Sequence, residues 1–117
     1  MRTDLDGNVL SDIIAVIRNE QDAGMSSIDG ELIVVLLATG GIVIDQQPVM
    51  LRSGIAIFDN LAAGAYTVLA RHSSLDPTEA RQDVVLPNAV MLGVKFVYVE
   101  PERRLIRIEL QEERLDA

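Results

Sequence analysis

The chain has 117 residues, 49% of them apolar, and 18 acidic against 10 basic side chains leave a formal net charge of −8. That length is one domain's worth, and it can bury an ordinary core without a disulfide or a metal. Cysteine is absent and His72 is the sole histidine, which excludes a thiolate nucleophile, a thiolate metal site and a two-histidine zinc site. The acidic balance argues against nucleic acid as a partner. No apolar run approaches the ~18 residues of a helical membrane span.

Residues Met1–Gly7 lack the basic start and apolar stretch of a secretory signal. With no cysteine either, the cytoplasm is the expected compartment. Charge is spread unevenly. Residues 1–30 hold six acidic residues against two arginines, a balance of −4, whereas residues 91–117 hold six against five, a balance of −1. A mixed-sign segment of the latter kind is a solvated face or, less often, a pairing surface.

Val9–Asn19 fits two elements. As a helix it gathers Val9, Leu10, Ile13, Ile14 and Ile17 on one face, with Asp6 or Asn8 as cap. As a strand it sets Ile14 and Val16 against Ile13, Ala15 and Ile17, and its valines and isoleucines favour this slightly. Glu31–Thr39 is a continuous apolar run that suits a strand buried on both faces. Ile42–Leu51 is the next strand. Pro48 lacks a ladder donor and assigns it to an edge or a bulge. Gly54–Phe58 is a short strand, and Ala65–Arg71 alternates, with Tyr66, Val68 and Ala70 on one face.

Leu75–Arg81 is expected to be a loop, with one helical turn started by Asp76-Pro77. Gln82–Leu86 is a short strand and Val90–Glu100 the longest. Arg104–Gln111 alternates, predicting Ile106, Ile108 and Leu110 inside and Leu105, Arg107 and Glu109 outside. These short β-rich pieces between glycine and proline signals predict one antiparallel β-sandwich of about seven strands, with prealbumin-like or immunoglobulin-like connections. Its core is expected over residues 12–111, with residues 1–8 and 112–117 flexible.

The stretch Gly54–Ala70 reads GIAIFDNLAAGAYTVLA. Gly54, Phe58, Leu61, Gly64, Tyr66 and Val68 resemble the signature of carboxypeptidase regulatory-like domains, which share the prealbumin and collagen-adhesin B-type sandwich. The resemblance departs from the family at Ala63, where a proline is usual. It implies a structural, folding-assisting or interaction module and seldom a catalytic one. In physical terms Phe58 and Leu61 plug one end of the sandwich. Gly64 permits a positive φ at the corner, and Tyr66 bonds back to the loop as a tyrosine corner does.

Asp4, Asp6, Asn8 and Asp12 form an oxygen-rich segment that makes calcium the candidate ion. The EF-hand pattern fails, because counting Asp4 as position 1 puts Gly7 at position 4 instead of 6, and Ala15 at position 12 where the bidentate glutamate belongs. The plainer reading is an exposed acidic turn. His72 beside Ser73 and Ser74, with Asp76 or Asp83, has the composition of a hydrolase triad, but no Gly-x-Ser-x-Gly elbow is present. A polar strand end is the expectation there. The hydroxyisourate hydrolases of the prealbumin fold use several histidines and a Tyr-Arg-Gly-Ser tail, whereas this chain has His72 alone and ends Glu-Arg-Leu-Asp-Ala. Lys95, the sole lysine, is expected to face outward and not to form an adhesin-type isopeptide.

If Leu92, Val94 and Phe96 face the core, then Met91, Val97 and Val99 form an apolar outer stripe, joined by Leu105 and by Tyr98 near the rim. Such a stripe is the expected interface for a protein partner, basic to match the acidic surface, or for a second copy of the chain. The alternative is that Val9–Ile17 covers it. With no catalytic constellation and no cofactor motif, the expected function is that of a non-enzymatic interaction or structural module. Ion binding at the acidic N-terminal segment is the alternative.

Overall fold

The computed structural model describes residues 2–27 and 30–115. Eight strands follow one another: β1 (Ser11–Asn19), β2 (Leu32–Thr39), β3 (Ile42–Met50), β4 (Ile55–Leu61), β5 (Gly64–Arg71), β6 (Glu79–Leu86), β7 (Val90–Val99) and β8 (Arg104–Arg114). They form two four-stranded sheets, ordered β4-β1-β7-β8 and β3-β2-β5-β6, packed as a sandwich. The eighth strand beyond the expected seven is the ambiguous N-terminal segment. Burial alternates along β1, with Ser11, Ile13, Ala15 and Ile17 buried, so period two wins over the helical period. The loop at Leu75–Thr78 holds no helical turn.

The sandwich is not wholly antiparallel. β1 runs parallel to β7, from Asp12 opposite Met91 to Asn19 opposite Tyr98, while every other pairing between the eight strands is antiparallel. A parallel neighbour needs a long crossover, and here β2–β6 supply it. The core lies between the sheets. Ile13, Ile17, Phe58 and Phe96 from one sheet meet Ile33, Val35, Leu37 and Val68 from the other.

Two edge strands carry bulges. β3 is an edge, as Pro48 requires, and its register skips Ile44 between Leu37–Asp45 and Ala38–Val43. β8 skips Ile106 between Val97–Arg107 and Tyr98–Leu105. That extra residue reverses the facing expected for this strand's start. Leu105 turns inward against the core and Ile106 is left 42% exposed. Strand β8 also continues through residues 112–114, which were expected to fray. At the other end, Thr3 bridges Val9, and Leu10 N–H bonds to Arg2 C=O at 2.8 Å, so the expected flexible start is a small hairpin.

Candidate interaction surface

The Gly54–Ala70 stretch builds the corner its pattern describes. Phe58 is buried and Leu61 packs against the core. The Tyr66 hydroxyl donates to Ala62 C=O at 2.7 Å, tying β5 back to the turn. Gly64 takes φ 156°, the positive φ expected at the corner, and Asn60 is a second positive-φ residue there at φ 58°. Gly54 is needed for another reason besides its φ of 57°. A Cβ there would lie 2.7 Å from the Ile17 carbonyl oxygen, because β1 and β4 touch at that point.

The acidic N-terminal residues are engaged separately. One oxygen of Asp4 accepts from the backbone N–H groups of Asp6 and Asn8, each at 2.9 Å. The Asn8 N–H holds the Asp4 carboxyl below the usual carboxylate range. Asp12 accepts from Arg2 at 2.9 and 3.0 Å and from Asn60 N–H at 3.1 Å. Among the described residues no group of three or more acidic, histidine or cysteine side chains is placed to hold a metal. The four oxygen donors read from the sequence thus form a turn and an ion pair.

His72 finds its neighbours outside the acids considered from sequence. Its Nδ1 lies 2.7 Å from Ser74 Oγ, and its Nε2 lies 3.6 Å from Glu31 Oε2. Both Glu31 oxygens accept from Arg103, at 2.8 and 3.0 Å, and Arg103 also donates to Ser74 Oγ and Ser26 C=O. That bidentate pair raises the Arg103 pKa further. Asp76 and Asp83 are not part of this cluster. The arginine claims the carboxylate and the serine hydroxyl together, so the arrangement pins three loops at one end of the sandwich. Arg103, at φ 58°, was missed because its role depends on a turn between β7 and β8 that brings it to Glu31, 72 residues away in sequence.

The apolar stripe expected on β7 is only partly where it was placed. Val97 faces outward yet is 1% exposed, flanked in register by Arg18 and Arg107. Long arginine stems cover apolar surface in this manner. Tyr98 is not at the rim but in the core, and Leu105 faces the core as well. Met91 and Val99 remain half-buried on the outer face. Nor does Val9–Ile17 cover the stripe, since β1 lies beside β7 in the same sheet.

The exposed apolar surface has moved one strand over. Ile14 lies opposite Ile57 and Val16 opposite Ile55 across β1 and β4. Ile57 is 53% and Ile55 44% exposed. Gly93 continues the row of Ile14 on β7 and leaves a shallow dent bordered by Val16, Met91 and Gln111. Lys95 closes this patch, bonded to Asp22 at 2.9 Å and 3.6 Å from Glu109. The sequence carried this signal in the alternate apolar residues of β1 and β4, but only the sheet order shows that the two outer rows adjoin.

No family model matches the chain, and no curated protein matches it. Its fold is similar to the crystal structure of a "putative cell adhesion protein" from Bacteroides uniformis ATCC 8492, with a TM-score of 0.53 and 11% identity over 91% of this chain. This chain spans 50% of that protein's length. At that identity the likeness extends to the all-β two-sheet fold and no further. Among the described residues, no helix is long and apolar enough to cross a membrane.

Proposed function

We propose that this chain is a non-enzymatic interaction module with a prealbumin-like sandwich, and that it binds a protein through the outer face of β1 and β4. The observation that carries this reading is the aliphatic quartet Ile14, Val16, Ile55 and Ile57, set as two directly opposed pairs on a solvent-facing sheet. A sheet face that meets only water is normally polar, and a contiguous apolar patch marks a contact surface. The chain's net charge of −8 favours a partner with a basic rim. The adhesion-type structural neighbour is compatible with such a role.

The test is retention of proteins from an extract of the source organism on the wild-type chain and on an Ile55→Asp/Ile57→Asp variant. Both side chains point to solvent, so the variant should melt within a few degrees of wild type. A partner held by wild type and released by the variant supports the assignment. Equal retention by a folded variant overturns it.

A further inference from the structure

The two sides of the sandwich treat their strand edges differently. On one side lie β3 and β4. Leu51 N–H bonds to Glu31 C=O at 3.0 Å, and backbone alternation then turns Met50, Pro48 and Gln46 away from β2. At each of those outward positions one backbone group is blocked. Met50 C=O accepts from Gly54 N–H at 2.8 Å, Pro48 has no N–H, and Gln46 N–H is taken by the Asp45 carboxylate at 2.8 Å. The bulge at Ile44 bends what is left. On β4, the outward N–H and C=O of Ile57 are both taken by the Gln47 amide. Proline, capped donors and a bulge are the devices by which an edge refuses another strand.

On the other side, β8 is open. Leu115 N–H bonds inward to Ala89 C=O at 2.8 Å, and Val90 N–H points toward β1, to Ser11 Oγ. The same alternation therefore turns the backbone of Ile108, Leu110 and Glu112 outward. The start of this edge is already occupied by strand-like pairing within the chain: Asp76 N–H bonds to Arg103 C=O at 2.9 Å and Leu105 N–H to Asp76 C=O at 2.8 Å. Beyond Leu105, no described residue outside β7 hydrogen-bonds the outward groups of Ile108, Leu110 or Glu112. Leu110 is 51% exposed, and Val85 across the groove on β6 is 79% exposed. The β6 edge is shorter, and Gln82 caps its Asp83 carbonyl.

We propose that a second copy of this chain docks antiparallel on this edge, with Leu110 opposite Leu110 of the second copy, joining two four-stranded sheets into one. Charge selects both the occupant and the register. In a chain of net charge −8, β8 is neutral, with Arg104, Arg107 and Arg114 against Glu109, Glu112 and Glu113. Centring on Leu110 sets Arg107 opposite Glu113 of the second copy, and the reverse, on the outer face. It also pairs Ile108 with Glu112, both of which offer outward backbone groups. Centring on Glu109 stacks that glutamate on itself. Centring on Gln111 sets Glu109 against Glu113. Centring on Ile108 drives the second copy into Asp76. Only the Leu110 register satisfies backbone, charge and space together. This surface is separate from the β1–β4 face, so the two assignments fail independently.

The test is sedimentation velocity of the whole chain over a concentration series, with Arg107→Glu and Glu113→Arg variants alone and mixed. Wild type should sediment as a dimer. Each single variant places like charges across the axis twice and should weaken the dimer about tenfold or more. An equimolar mixture restores opposite charges at both positions and should recover the dimer as a heterodimer. Leu110→Pro, which removes only an outward N–H, should sediment as a monomer with little change in melting. A wild-type monomer at several hundred micromolar overturns the proposal. So do single variants that dimerise as wild type does, and a mixture that stays monomeric.

Discussion

The side chain of Gln47 on β3 pairs with the backbone of Ile57 on β4, accepting from its N–H at 3.2 Å and donating to its C=O. The two residues belong to edge strands of opposite sheets, so one amide both clips the sandwich shut and fills an exposed β-edge. Gln47→Ala frees those two groups to water. The expected cost is about 1 kcal/mol, the net worth of such bonds at an exposed site, read by urea denaturation. Because the freed edge lies beside exposed Ile55 and Ile57, the variant should also scatter more light on heating than wild type.

Gly54 and Gly64 bracket the Phe58–Leu61 corner but tolerate substitution differently. An alanine at position 54 takes a left-handed φ and drives its Cβ into the Ile17 carbonyl and Cβ, at 2.7 and 2.9 Å. Backbone must move, so Gly54→Ala should cost more than ~2 kcal/mol. At Gly64 the space is open but φ is 156°, a conformation that side chains rarely adopt, so Gly64→Ala should cost ~1–2 kcal/mol from backbone strain alone, less than the strain and collision together at Gly54. Paired denaturation curves decide it, and equal losses would contradict the close approach of β1 and β4.

The two tyrosines should respond oppositely to loss of their hydroxyls. Tyr66→Phe removes the bond to Ala62 C=O and should cost about 1 kcal/mol. The Tyr98 hydroxyl is buried and has no hydrogen-bond partner among the described residues, and burial pushes its pKa far up. Tyr98→Phe should therefore be neutral or stabilising by up to ~1 kcal/mol. Thermal melts of the two variants distinguish the roles. A large loss at Tyr98 would mean that its hydroxyl is satisfied.

Much of this was legible in the residues. Strand positions from Glu31 to Gln111 follow from short β-branched runs between turn signals, and Pro48 marked an edge because a missing N–H acts locally. The tyrosine corner was legible for the same reason, since Tyr66 and Ala62 are four residues apart. What was not legible depends on partners far along the chain. The parallel β1–β7 pairing places Ile14 and Val16 beside β4, and no local pattern announces that order. The bulge at Ile106 defeated the alternation read for β8, because one unpaired residue exchanges inside for outside. The exposed patch was therefore assigned to Val97, Tyr98 and Leu105, one strand away from the observed quartet.

Asp22 and Lys95 supply a pH-dependent contact at the margin of that quartet. Asp22 sits at φ 62° in the turn after β1, where Asn19 Oδ1 holds the N–H groups of Gln21 and Ala23. Its bond to Lys95 holds the Asp22 carboxyl below the usual carboxylate range, and the same bond raises Lys95. A lowered carboxyl contributes stability that is present above its unfolded pKa and lost as pH falls through the folded one. A raised lysine contributes below its unfolded pKa and loses the contribution as pH rises through the folded one. The pair therefore acts across the neutral range and fails at both extremes. Asp22 is exposed and Lys95 partly so, so the effect on global stability is small and the titration itself is the proper readout. In Lys95→Met, the Asp22 carboxyl followed by carbon NMR should titrate higher, near an ordinary aspartate, and high salt should move wild type part of the way. An unchanged Asp22 titration would show that the turn after β1 does not lean on Lys95, and that this margin of the β1–β4 face is unpinned.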